Sequence, residues 1–198
     1  MKKTIIRALA ILGAATFTLV GCSIQKQDDR AGLTLGEDGE VRGVIIDDFD
    51  ESLYSVSELQ EMINSEVSEY NAATGAGRIT AEDAVVEDGK VKVVMQYMST
   101  DDYVAFNNRR LELTNLKDAL DSNMLNVGFV EAGKNDPFEL EKVDEPNLYT
   151  VIITDEPGNL SCPGNIAYYS GGVSLENKKQ VVVSEDMDGL AYIIYRSK

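Results

Sequence analysis

Carboxylates and two cysteines carry most of the chemical potential in this sequence, because histidine and tryptophan are absent. Without imidazole, Ser-His-Asp and Cys-His catalysis are excluded, as is any zinc site built on histidine. Asp47, Asp48, Asp50 and Glu51 form the densest acidic cluster, and a hard cation such as calcium takes several carboxylate oxygens. A calcium-binding EF-hand loop needs a glycine at its sixth position, which this stretch lacks, so in so acidic a chain it reads as a solvated turn. Two carboxylates run glycoside hydrolysis without histidine, but 34 acidic residues guarantee candidate pairs and deprive that signal of meaning.

Cys162 stands in Asn159-Leu160-Ser161-Cys162-Pro163-Gly164-Asn165. A lone thiol becomes a nucleophile only when a neighbour lowers its pKa, and no histidine exists to do so; a small buried filler is the better reading. Gly75-Ala76-Gly77-Arg78 matches neither a P-loop nor a dinucleotide fingerprint and reads as a loop between helix and strand. In Asn107-Asn108-Arg109-Arg110 the adjacent arginines point to a local acidic partner before a ligand carboxylate. The tyrosines at 168, 169, 192 and 195 could form a sugar or peptide platform. Neighbouring residues of a strand face opposite ways, however, so core packing with one exposed ring is expected. No catalytic set, no metal site and no cofactor is assigned, and the ligand-binding residues stay open.

The remaining cysteine ends a leader. Met1 to Arg7 is a short basic segment and Ala8 to Val20 an apolar run, the layout of a secretory signal and too short for a comfortable membrane span. Leu19-Val20-Gly21-Cys22 resembles the lipobox of bacterial lipoproteins. That resemblance implies cleavage before Cys22, so that residues 1–21 are a signal peptide, and a diacylglyceryl group on the Cys22 sulfur; two acyl chains anchor stably. Residues 22–32 are polar, lack an apolar period and read as a flexible tether. Residues 33–198 then have the size of one domain.

At 43% hydrophobic and 26% charged residues the chain is expected to fold. Its formal charge is −16; removing Lys2, Lys3 and Arg7 with the leader leaves 15 basic residues against 34 acidic ones, or −19. No basic patch is present to neutralise phosphates, which argues against nucleic acid. Anionic lipid repels such a body, so membrane attachment is expected through the lipid alone.

The elements that must position these residues alternate between two periods. A hairpin is predicted around Asp38-Gly39, between Leu33-Leu35 and Val41 to Ile46, and a second around Asp88-Gly89, between Ile79 to Val86 and Val91 to Met98. Leu59, Met62, Ile63, Val67 and Tyr70 recur at helical spacing after a cap at Ser55 or Ser57, and the segment from Asn71 to Gly77 ends that helix. Ser99 with Asp102 suits the start of a short helix, and Thr114 can cap another through Leu116 and Leu120. Short strands are predicted at 127–130, 138–143, 148–154, 166–170, 179–183 and 190–195, separated by Pro and Gly turns. The fold class is therefore α+β: a largely antiparallel sheet built from hairpins, with one longer and two short helices.

The Asp38-Gly39 hairpin, Val44-Ile45-Ile46-Asp47-Asp48-Phe49, the helix end Glu69-Tyr70-Asn71 and Tyr103-Val104-Ala105-Phe106-Asn107 resemble a group of uncharacterised lipoproteins of Gram-positive gut bacteria. The resemblance implies a shared fold and location, and no catalytic residues come with it. The expected function is a non-enzymatic binding or scaffolding module at the extracytoplasmic face of the cell membrane. Its expected partners are the membrane, through Cys22, and an envelope protein or glycan. A carboxylate-based glycan-acting enzyme and a small-molecule or cation receptor are the alternatives.

Overall fold

The computed structural model describes residues 30–134 and 136–197; the expected leader, Cys22 and the tether up to Asp29 lie outside them. Arg30 reaches the Gln180 side chain at 3.3 Å, and Gly32 already belongs to a strand, so the predicted tether is too long at its C-terminal end. A Cβ on Gly32 would stand 2.3 Å from the Asn159 carbonyl oxygen, a close approach that requires glycine.

The fold is α+β, with three helices and two mostly antiparallel sheets among the described residues. The first hairpin forms as expected from β1 (Gly32–Leu35) and β2 (Val41–Asp48). Next comes α1 (Val56–Thr74), whose cap Ser55 accepts the Glu58 amide and which ends at Gly75, within the segment expected to break it. The Asn71 side chain Nδ2 donates to the Ile79 carbonyl at 2.8 Å and its Oδ1 accepts from the Ile79 amide at 2.9 Å. The helix end is thereby tied to the strand that follows.

The strand expected at 79–86 is divided into β3 (Ile79–Ala81) and β4 (Val85–Glu87), both paired with β5 (Lys90–Tyr97). Positive φ at Asp88 and Gly89 makes the tight turn between β4 and β5. Ser99 caps α2 (Thr100–Asn107) as predicted. A strand that the pattern had not shown, β6 (Leu111–Asn115), then leads directly into α3 (Leu116–Asp121), and Asn115 is the cap in place of the expected Thr114.

The C-terminal half holds β7 (Phe129–Glu131), β8 (Pro137–Phe138), β9 (Tyr149–Thr154), β10 (Gly158–Ser161), β11 (Ile166–Ser170), β12 (Val173–Asn177), β13 (Gln180–Val183) and β14 (Ala191–Arg196). The strand expected at 138–143 stops after Phe138, and a 3-10 turn occupies Leu140–Lys142. The first sheet runs β12-β13-β10-β1-β2-β5-β3, with β4 also on β5; the second runs β6-β9-β14-β11-β7-β8. One pairing, β1 with β10, is parallel.

One buried cluster draws on both sheets, with Leu33, Val93, Leu160 and Val181 from the first and Ile152, Ile193 and Tyr195 from the second. The far face of the second sheet has its own cover: Val151, Ile153 and Ile194 pack with Leu116 and Ala119 of α3 and with Phe129 and Leu140. Val151-Ile152-Ile153 is an unbroken apolar run because both faces of β9 are buried. Tyr169 lies in the first cluster and Tyr168 against the second, on opposite faces as expected. None of the four tyrosines considered above is an exposed ring; Tyr168 stacks on Phe138 with ring centroids 4.6 Å apart.

Candidate functional site

Strand alternation places Val41, Gly43, Ile45 and Asp47 of β2 and Val91, Val93, Met95 and Tyr97 of β5 on one face of the first sheet. α1 sits over that face through Leu59 and Ile63, and α2 brings Tyr103 and Phe106 to its Tyr97 end. Gly43 contributes no side chain, and sheet and helices do not close completely. A cavity of about 410 Å³ remains, lined by Ile63, Val93, Met95, Tyr97, Tyr103 and Phe106 among others. Its volume falls within the range of small-molecule sites, as does its composition: mainly apolar and aromatic walls with a few polar groups.

The polar groups converge at the aromatic end. Tyr97 and Tyr103 meet edge to face at 5.2 Å, and Tyr97 and Phe106 lie 6.0 Å apart. Glu156, in the loop between β9 and β10, is hydrogen-bonded to Tyr103 and ion-paired with Arg109, whose Nε lies 3.2 Å from its Oε2. Both charged side chains are about one-third or less exposed. Burial raises the Glu156 carboxyl above its ordinary pKa, because it outweighs the opposing help of Tyr103 and Arg109. Burial also pushes the Tyr97 hydroxyl up to about 12, so both it and Tyr103, shifted the same way, stay protonated donors at neutral pH.

A second polar group lies behind the cavity wall and serves the architecture. Asp102, 2% exposed, accepts at Oδ1 from Arg78 Nε at 3.0 Å and Tyr70 Oη at 3.0 Å, and at Oδ2 from Ser99 Oγ at 2.6 Å, with Arg78 Nη2 2.8 Å from Oδ2. Burial alone raises a carboxyl, but here Ser99, Arg78 and Tyr70 together prevail and hold Asp102 below the usual range. The group locks the start of α2 to the end of α1, and so fixes Phe106 and Tyr103 against the sheet.

The residues singled out in the sequence are scattered. Asp47 lines the cavity, Asp48 pairs with Lys90 at 2.8 Å, and Asp50 accepts from Ser52 in a turn. Among the described residues no group of three potential metal-ligating side chains comes together. Cys162 is buried, its thiol pushed up by that burial, and it packs in the common core. Arg110 has the local partner that was expected, Glu112 at 3.0 Å, whereas Arg109 takes Glu156 from a distant part of the chain. Arg78, at the end of the Gly75–Arg78 loop, is a ligand of Asp102. Sequence reasoning missed Glu156, Tyr97 and Tyr103 as a group. Their only local signal is Pro157-Gly158, which marks the loop beside Glu156 without naming its partners.

The site therefore defines a class of protein: a two-sheet α+β body with a preformed, apolar, aromatic-ended cavity under its helices. Comparisons with protein-family models, with curated proteins and with solved structures find no match to this chain.

Proposed function

We propose that this protein is a lipid-anchored, extracytoplasmic binding protein whose ligand site is the cavity between the β2–β5 face and the two helices. The observation that carries the binding half of this reading is the cavity itself, about 410 Å³ of mainly apolar and aromatic space with the half-buried Glu156 carboxylate at its end. The space opens to solvent past Ile45, which is 43% exposed, so a ligand can enter it. The anchoring half rests on the lipobox-like Leu19-Val20-Gly21-Cys22.

Intact mass of the chain purified from bacterial membranes tests the anchor. Loss of residues 1–21 with gain of a diacylglyceryl group, and release of a Cys22→Ser chain from the membrane fraction, are expected; an unmodified mass contradicts it. For binding, the neutral compound 4-phenylbutanol is a suitable probe. At about ten times its Kd it is expected to add roughly 1.4 kcal/mol of stability, a rise in Tm of about 3–5 °C. An unchanged Tm up to the solubility limit of the probe contradicts the reading.

A further inference from the structure

We propose that the ligand is an organic ammonium compound, its apolar body against Ile63, Val93 and Met95 and its cationic head among Tyr97, Tyr103, Phe106 and Glu156. This rests on the binding reading above and adds the chemical class. At the aromatic end the Tyr97 ring lies 5.2 Å from Tyr103 and 6.0 Å from Phe106, centroid to centroid, so aromatic surface borders the end of the cavity where Glu156 stands. Cations are drawn to aromatic rings through the quadrupole of the π-system.

Charge complementarity points the same way. Asp47, Glu66, Glu156 and Glu185 line the cavity, and Arg109 is the single basic residue among the described lining. Glu156 already holds Arg109 and Tyr103, yet burial still makes its negative charge costly. A bound cation meets an acidic lining, whereas a ligand carboxylate sets a second anion beside Glu156. The full chain carries −16, so its long-range field also concentrates cations at the mouth.

Three compounds of one shape separate the possibilities: 4-phenylbutylamine, 4-phenylbutanol and 4-phenylbutyrate, titrated into the full chain in neutral maltoside micelles. Binding is read at the methyl resonance of Met95, identified by its loss in Met95→Leu. The amine is expected to bind about tenfold or more tighter than the carboxylate, equivalent to about 1.4 kcal/mol, with the alcohol between. In Glu156→Gln the alcohol should still bind while the amine-to-carboxylate ratio falls to about threefold or less. Binding of the alcohol with no preference for the amine, or a preference for the carboxylate, overturns the ammonium assignment and leaves the cavity a binding site. A ratio unchanged in Glu156→Gln overturns the role given to Glu156. Failure of all three compounds overturns the binding reading itself.

Discussion

Replacing Asp102 with alanine is expected to lower stability by on the order of 3 kcal/mol and Tm by roughly 6–12 °C. The substitution removes the acceptor shared by Ser99, Arg78 and Tyr70. It thus frees the start of α2 from the end of α1. Hydrogen bonds to a charged group are worth about 1.5–3 kcal/mol each, but three on one carboxylate are not additive, and the released Arg78, 42% exposed, recovers part of its loss by hydration. The dependence on pH follows from the lowered pKa of Asp102. A carboxyl depressed on folding stabilises above its unfolded value of 3.8 and loses that contribution as pH falls from there through the folded value. The stability gap between the wild type and Asp102→Asn should therefore be full at neutral pH and shrink below about pH 4. Denaturant titrations at pH 7 and pH 3 measure it; a gap that is equal at both, or absent at pH 7, contradicts the account.

Gly164→Ala should cost at least about 3 kcal/mol, at the upper end of what overpacking a well-filled site does. A Cβ at this position would lie 2.0 Å from the Arg196 carbonyl oxygen and 2.8 Å from a Tyr195 ring carbon. The backbone of β14 cannot yield easily, since the Arg196 amide donates to the Asn165 carbonyl at 2.9 Å and Tyr195 pairs with Ile166. Gly128→Ala, with nothing within 4 Å of the added carbon and no positive φ, is the matched control and should stay within about 0.5 kcal/mol. Thermal unfolding of the two variants side by side decides it. Equal Tm values would mean that the chain end is not held against Gly164 as described.

Local chemistry made much of this fold legible. The Asp38-Gly39 and Asp88-Gly89 turns, the apolar spacing of α1 and the Ser99 cap each depend on residues a few positions apart, and each forms. What escaped was set by distant parts of the chain. β10 has the sequence Gly-Asn-Leu-Ser and no strand signal of its own; it is a strand because β1 and β13 flank it. β6 ends in Thr114-Asn115, residues that favour caps and turns, and β9 overrides that preference. Ser99 and Asp102 were visible as a cap, but Tyr70 and Arg78, the other partners of Asp102, come from α1 and the loop after it, 32 and 24 residues earlier. The cavity was invisible for the same reason. Its aromatic end joins β5, α2 and a loop beyond β9, and no local spacing links Tyr97, Tyr103 and Glu156.

A binding protein of this kind must admit an apolar molecule into the space between the β2–β5 face and the helices. Met95 reports from its wall, 4% exposed in a β5 position that faces the cavity. Titration of 4-phenylbutanol into the full chain labelled at its methionine methyl groups should move the Met95 resonance along a saturable, single-site curve. In Val93→Phe, which fills the cavity from the adjacent inward position, that shift should be lost while the protein stays folded. A Met95 resonance that does not move, or one that moves equally in Val93→Phe, would show that the cavity is not where this protein binds.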